Sequence, residues 1–299
     1  MTQAEMTNRM REGRGFIAAL DQSGGSTPGA LRLYGVNEDA YKNDKEMFAL
    51  IHEMRVRIIT APAFEGGKVL GTILFEATMD GEVMGRRVPD YLWNDRKVVP
   101  FLKVDKGLAA EADGVSLMKP MPDLDALLAR AVKLGMFGTK MRSVIAHASE
   151  KGIAAVVAQQ FEVGDQIAAH GLMPIIEPEV SIKAPDRAQA ETMLRDEIVK
   201  HLDRLPAGRQ VMLKLTIPVT PDFYAPLVSH PRVLRVVALS GGFSRDEACR
   251  KLAANHGMIA SFSRALAEDL RHAMDDATFQ ATLAHSIDEI YKASVEKVA

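Results

Sequence analysis

With 299 residues, 47% hydrophobic and 25% charged, the chain has an ordinary globular composition and enough length for one large α/β core. A formal net charge of -2 and the lack of any isolated Lys or Arg block exclude strong attraction to a nucleic-acid backbone. The polar N-terminal stretch MTQAEMTNRMREGRG, the absence of any run of membrane-spanning length and the single cysteine, Cys249, point to a soluble protein of a reducing cytoplasm, without membrane anchor, disulfide or cysteine-based metal cluster.

Along the chain, eight short aliphatic runs alternate with longer helical stretches. They are GFIAALD (15 to 21), VRIITAP (56 to 62), TILFE (72 to 76), VVPFLKVD (98 to 105), FGTKMR (137 to 142), LMPIIEPEV (172 to 180), VMLKLTIP (211 to 218) and VLRVVALS (233 to 240). Between them LDALLARAVKLG and RAQAETMLRDEIVKHLDRL repeat apolar residues three and four apart, as helices do, and SIDEIYKASVEKV predicts a closing helix. Eight strands joined by covering helices predict a (β/α)8 TIM barrel. No linker, composition break or internal repeat divides the chain, so a single domain over 1–299 is expected.

Alternate residues of a strand face opposite sides, and only one side feeds a barrel interior. In VMLKLTIP, Val211, Leu213, Leu215 and Ile217 share one face, and Met212, Lys214 and Thr216 the other. The aliphatic face suits the covering helices, which turns Lys214 inward. The same phase pairs Lys103 with Asp105, Lys140 with Arg142 and Glu177 with Glu179, all directed at the C-terminal mouth where barrel active sites form.

A lysine inside an apolar strand needs a partner or a task, or must snorkel to water. Converging lysines and burial both disfavour the ammonium form, and a neutral amine is the nucleophile that Schiff-base chemistry requires. Glu177 and Glu179 can then divide acid and base duties, with Asp21 at the end of the first run as a further carboxylate. Ser240, Gly241 and Gly242 close the last run and lead into a helix whose start is marked by a Ser244/Glu247 capping box. Such a glycine turn lets backbone N–H groups approach an anion. Arg264 in FSRAL supplies a matching charge, and DQSGGS, with Ser23 and Ser26, offers a second anion turn. The 8 histidines show no metal-ligand spacing, and the 16 methionines read as packing.

The blocks DQSGGS, FLKVDKG, GTKMR, PIIEPEV, LKL, LSGG and SRAL resemble, in this order and over nearly the whole chain, the class I fructose-bisphosphate aldolases. The resemblance implies reversible cleavage of fructose 1,6-bisphosphate into two triose phosphates in glycolysis, with no cofactor and no metal. It implies that Lys214 forms the imine, that Glu177 with Glu179 beside it serves imine formation, and that Lys140 and Asp21 assist dehydration and proton transfer. Ser240, Gly241, Gly242, Ser263 and Arg264 would bind the phosphate near the imine; Ser23, Ser26 and Lys103 would bind the distal one, and Arg142 belongs to the same substrate-binding set. Long forms of the family end in a mobile tail with a terminal tyrosine, whereas this chain ends SVEKVA, with Tyr291 inside the closing helix. FSRAL is also two residues shorter than its long-form counterpart, and GTKMR has methionine where long forms have tryptophan, so the short bacterial-type branch is the better comparison. A Schiff-base aldolase for another phosphorylated ketose or deoxysugar is the alternative within the same chemistry. A non-catalytic sugar-phosphate-binding barrel is the alternative outside it.

Overall fold

The computed structural model describes residues 2–298. Eight parallel strands close a barrel: β1 (Phe16–Leu20), β2 (Val69–Leu74), β3 (Val99–Lys103), β4 (Gly138–Ile145), β5 (Met173–Val180), β6 (Val211–Thr216), β7 (Val233–Leu239) and β8 (Met258–Phe262). Each pairs with its sequence neighbours, and closure comes from β1 on β8, through Ala18 opposite Phe262. The principal helices are α1 (Gln3–Glu12), α2 (Thr27–Tyr34), α3 (Asp44–Thr60), α4 (Val88–Asn94), α5 (Leu124–Lys133), α6 (Glu150–Ala169), α7 (Arg187–Arg204), α8 (Arg245–Ala253) and α9 (Asp276–Val295).

One expected element is wrong in kind, and one strand was missed. VRIITAP, expected as the second strand, is the last turn and exit of α3. Asn43 caps this helix by accepting from Glu46 N. Met47, Ile51, Met54, Ile58 and Ile59 bury one stripe at helical spacing, so packing overrides the β-branched character of the local run. The missing strand is MIASF, β8, five buried residues between Gly257 and Ser263. Consequently VLRVVALS is the seventh barrel strand, not the eighth, and TILFE is the end of β2 rather than a third strand.

The phase expected for the other strands holds. Val211, Leu213, Leu215 and Ile217 pack among the helices, whereas Met212 joins Ile17, Ile73, Phe101, Ile175, Val237 and Ile259 inside the barrel. The lower end is filled by Met6 and Met10 of α1 in the same cluster, together with Phe101 edge-on to Phe137 at 5.3 Å. With the bottom plugged by apolar side chains, the inward polar residues occupy only the upper layer, towards the C-terminal ends of the strands.

Candidate active site

The upper layer opens into a cavity of about 500 Å3. Its walls carry Asp21, Ser26, Lys103, Lys140, Arg142, Glu177, Glu179, Lys214, Ser240, Gly241, Ser263 and Arg264. These residues come from seven of the eight barrel strands and the turns that follow them. The structure therefore brings together nearly all of the residues singled out in the sequence. Gly242 stands just outside the lining, although its Cα is close enough to Arg264 that an added Cβ would sit 3.5 Å from the guanidinium Nη2. Ser23 is also absent from the lining; its N and O are both bonded to the Ser26 hydroxyl, at 2.9 Å each.

Lys214 is 4% exposed in the middle of β6, and its Nζ lies 3.0 Å from Glu177 Oε1. The other Glu177 oxygen lies 2.6 Å from Lys140 Nζ without hydrogen-bond alignment, an ionic contact. Lys140 Nζ also donates to Asp21 Oδ2 at 2.9 Å. Glu177 thus bridges two buried ammonium groups, and Lys140 bridges two buried carboxylates. Two further pairs flank this chain: Arg142 with Glu179 at 2.5 Å, and Lys103 with Asp105 at 2.7 Å.

Burial pushes the Lys214 amine below its ordinary value, with nearby Arg142 adding to the effect and the carboxylates Asp21 and Glu179 opposing it. Lys140 is pulled down to about 8, first by burial and then by the positive charges of Lys214 and Lys103, against the attraction of Asp21. For Asp21, burial works upward. The charges of Lys140, Lys214 and Lys103 outweigh it and hold the carboxyl well below the usual carboxylate range. Burial rather than mutual repulsion is therefore the leading cause for both lysines.

Backbone positions are pinned from behind. Gln160 of α6 accepts from Glu177 N at 3.2 Å and donates to Ser143 Oγ at 3.0 Å, fixing β5 against β4 at the height of the carboxylate. Arg55 of α3, 1% exposed, donates to Thr78 Oγ1 at 2.7 Å and to the carbonyl of Gln22. Neither residue was found in the sequence. Gln160 sits on an ordinary amphipathic helix, and Arg55 directly precedes the segment misread as a strand. Ser261, another cavity residue, escaped with the unrecognised β8. Gln22, within DQSGGS but not singled out there, and Gly29, Ala30 and Leu33, which no motif announced, add a wall from the turn after β1 and from α2.

At the other side of the cavity, Gly241 and Gly242 adopt φ of 61° and 113°, in the left-handed region that glycine tolerates. A Cβ on Gly241 would also strike Ile182 Cγ2 at 2.8 Å, so sterics as well as conformation demand glycine there. Ser244 caps α8 by accepting from Glu247 N at 3.3 Å. The reciprocal half of the expected box is missing, as the Glu247 carboxylate faces Lys251 at 3.7 Å. Because β8 exists, this turn follows the seventh strand and Arg264 follows the eighth, the usual pair of loops for phosphate in such barrels. Tyr291 packs, partly buried, against the helical layer and does not line the cavity. Among the described residues no group of three or more His, Cys, Asp or Glu has the arrangement of a metal site.

No family model matches the chain. It is 56% identical over 291 residues to the fructose-bisphosphate aldolase class 1 of Synechocystis sp., covering 97% of each chain. To the protein of the same name in Porphyromonas gingivalis it is 54% identical over 292 residues, covering 98% of this chain and 99% of that one. Among solved structures, the fructose-bisphosphate aldolase of Plasmodium falciparum superposes with a TM-score of 0.78 over 99% of this chain and 95% of its own, at 19% identity, a likeness of fold. On the two full-length relatives, the chain belongs to the class 1 fructose-bisphosphate aldolases.

Proposed function

We propose that this single barrel domain, acting in the cytoplasm, reversibly cleaves fructose 1,6-bisphosphate into dihydroxyacetone phosphate and glyceraldehyde 3-phosphate through an imine on Lys214. The observation that carries the assignment is the bridging Glu177, 3.0 Å from Lys214 and 2.6 Å from Lys140. Lys140 is held by two carboxylates, whereas Lys214 forms an ion pair with Glu177 alone among the described residues. The less restrained amine is the one free to turn towards a carbonyl.

Lys214, made easier to deprotonate by burial, attacks the ketose carbonyl carbon; its proton passes to Glu177, which returns it to the carbinolamine hydroxyl so that water departs. The resulting protonated imine accepts the electron pair of the adjacent carbon–carbon bond as that bond breaks. The proton of the neighbouring hydroxyl must then leave; Asp21, a cavity carboxylate kept ionised by Lys140, would take it. Arg142 and Glu179 hold each other at the mouth and line the path of the sugar.

The Gly241 turn, Ser240, Ser263 and the exposed Arg264 suit the phosphate nearest the imine: Arg264 carries the charge and the left-handed turn presents its backbone N–H groups. Lys103, tied to Asp105, and Ser26 also line the cavity and would hold the distal phosphate. Borohydride added with dihydroxyacetone phosphate should reduce the imine and fix one triose on the chain, with peptide mass mapping placing it on Lys214. An adduct on Lys140 or Lys103 would overturn the assignment, and active protein that never forms an adduct would overturn the imine itself.

A further inference from the structure

Gln22 follows Asp21 directly, yet neither the chemistry nor the phosphate contacts described above use its side chain. Its carboxamide crosses the seam where the barrel closes. Nε2 donates to Ser263 Oγ at 2.8 Å, linking the turn after β1 to the turn after β8. Its backbone is held as well, because the buried guanidinium of Arg55 donates to the Gln22 carbonyl. The remaining amide atom, Oε1, is buried and has no hydrogen-bond partner among the described residues. A glutamine kept in place for stability alone would satisfy that oxygen, since a buried unpaired acceptor works against folding.

The consequence lies in the proton of Ser263. A hydroxyl has one donor and two acceptor positions. With one acceptor position filled by the Gln22 N–H, the Ser263 proton has to point elsewhere, and Ser263 lines the cavity beside Arg264. We propose that Gln22 is a positioning residue for substrate phosphate: its amide orients the Ser263 hydroxyl as a donor towards the anion next to Arg264. The proposal rests on the reading of that end of the cavity as the phosphate site.

In the full-length protein, Gln22→Met keeps the side-chain volume and removes both the oriented donor and the orphaned acceptor. KM for fructose 1,6-bisphosphate should rise about fivefold, the loss of one typical hydrogen bond, with the larger part of the change in KM rather than kcat. The thermal midpoint should hold or rise, a combination that a merely structural glutamine would not produce. Ser263→Ala should raise KM by a similar factor, and adding Gln22→Met to it should change KM little further, because both act through one hydroxyl. If Ser263→Ala raises KM but Gln22→Met leaves it unchanged or lowers it, the positioning role is wrong while the phosphate site stands. Should Ser263→Ala leave KM unchanged, both fail. Independent, multiplying effects of the two substitutions would also overturn the coupling.

Discussion

Lys140 and Lys214 are both buried, but their removal disturbs the charges of the site unequally. Lys140 holds Asp21 at 2.9 Å and Glu177 at 2.6 Å, whereas Lys214 touches Glu177 at 3.0 Å. Lys140→Met therefore strands Asp21, which has no other ion pair among the described residues, in a buried position. Breaking a buried pair from one side costs about 3–5 kcal/mol. At about 2 °C per kcal/mol for a chain of this size, the thermal midpoint should fall by roughly 6–10 °C near neutral pH. Lys214→Met leaves Glu177 its contact with Lys140 and removes one buried ammonium, so the expected change is within about 1 kcal/mol, or roughly 2 °C in either direction.

Acidification adds a second check. In the parent, positive neighbours depress the Asp21 carboxyl against the upward effect of burial, so its stabilisation is complete above the ordinary carboxylate range and is lost as pH falls through the depressed value. Without Lys140 that carboxyl takes up its proton at higher pH. The deficit of Lys140→Met should hence shrink as the medium approaches about pH 4. Calorimetric scans at one fixed rate, on parent and both variants at the two pH values, measure this. Equal losses for the two lysines, or a Lys140→Met deficit indifferent to acid, would refute the assigned charge network.

Three further outcomes are expected. Arg264→Ala should raise KM for the bisphosphate roughly tenfold or more, the scale of a lost hydrogen bond to a charged group, with the thermal midpoint unmoved because the side chain is exposed; unchanged kinetics would remove it from the phosphate site. The Lys140 amine, pulled down to about 8 chiefly by burial, should impose an alkaline fall in kcat/KM centred near that pH, since deprotonation releases Asp21 from its cation; a profile flat through this region would contradict it. Lys297 Nζ donates to the carbonyls of Leu252, Met258 and Ala293 at 3.1, 2.7 and 2.9 Å, tying the chain end to α8 and β8. Truncation before Glu296 should accordingly lower the melting temperature while leaving turnover per folded molecule close to the parent value, as measured by activity against folded fraction.

The inward phase of the reactive groups was legible in the sequence. Strand alternation is local geometry: once VMLKLTIP is a strand with an aliphatic outer face, Lys214 has to point into the barrel, and the same holds for Lys103, Lys140, Glu177 and Glu179. Glycine at 241 was legible for a similar reason, because a left-handed turn leaves few choices of side chain. Strand identity was not always so. VRIITAP and MIASF are both short apolar runs, and whether such a run is helix or strand depends on what covers it. Ile58 and Ile59 continue a buried stripe begun at Met47, while Met258–Phe262 fills the gap between β7 and β1.

Only the tertiary structure decided which charges meet. Glu177 between Lys140 and Lys214, Arg55 on the Gln22 carbonyl and Gln22 on Ser263 join residues up to 241 positions apart. Barrel closure sets these separations in space, and no local pattern records them. The unequal contacts of Lys140 and Lys214 have the same origin: both are lysines in apolar strands, and their difference lies in how many carboxylates the neighbouring strands bring within ion-pair distance.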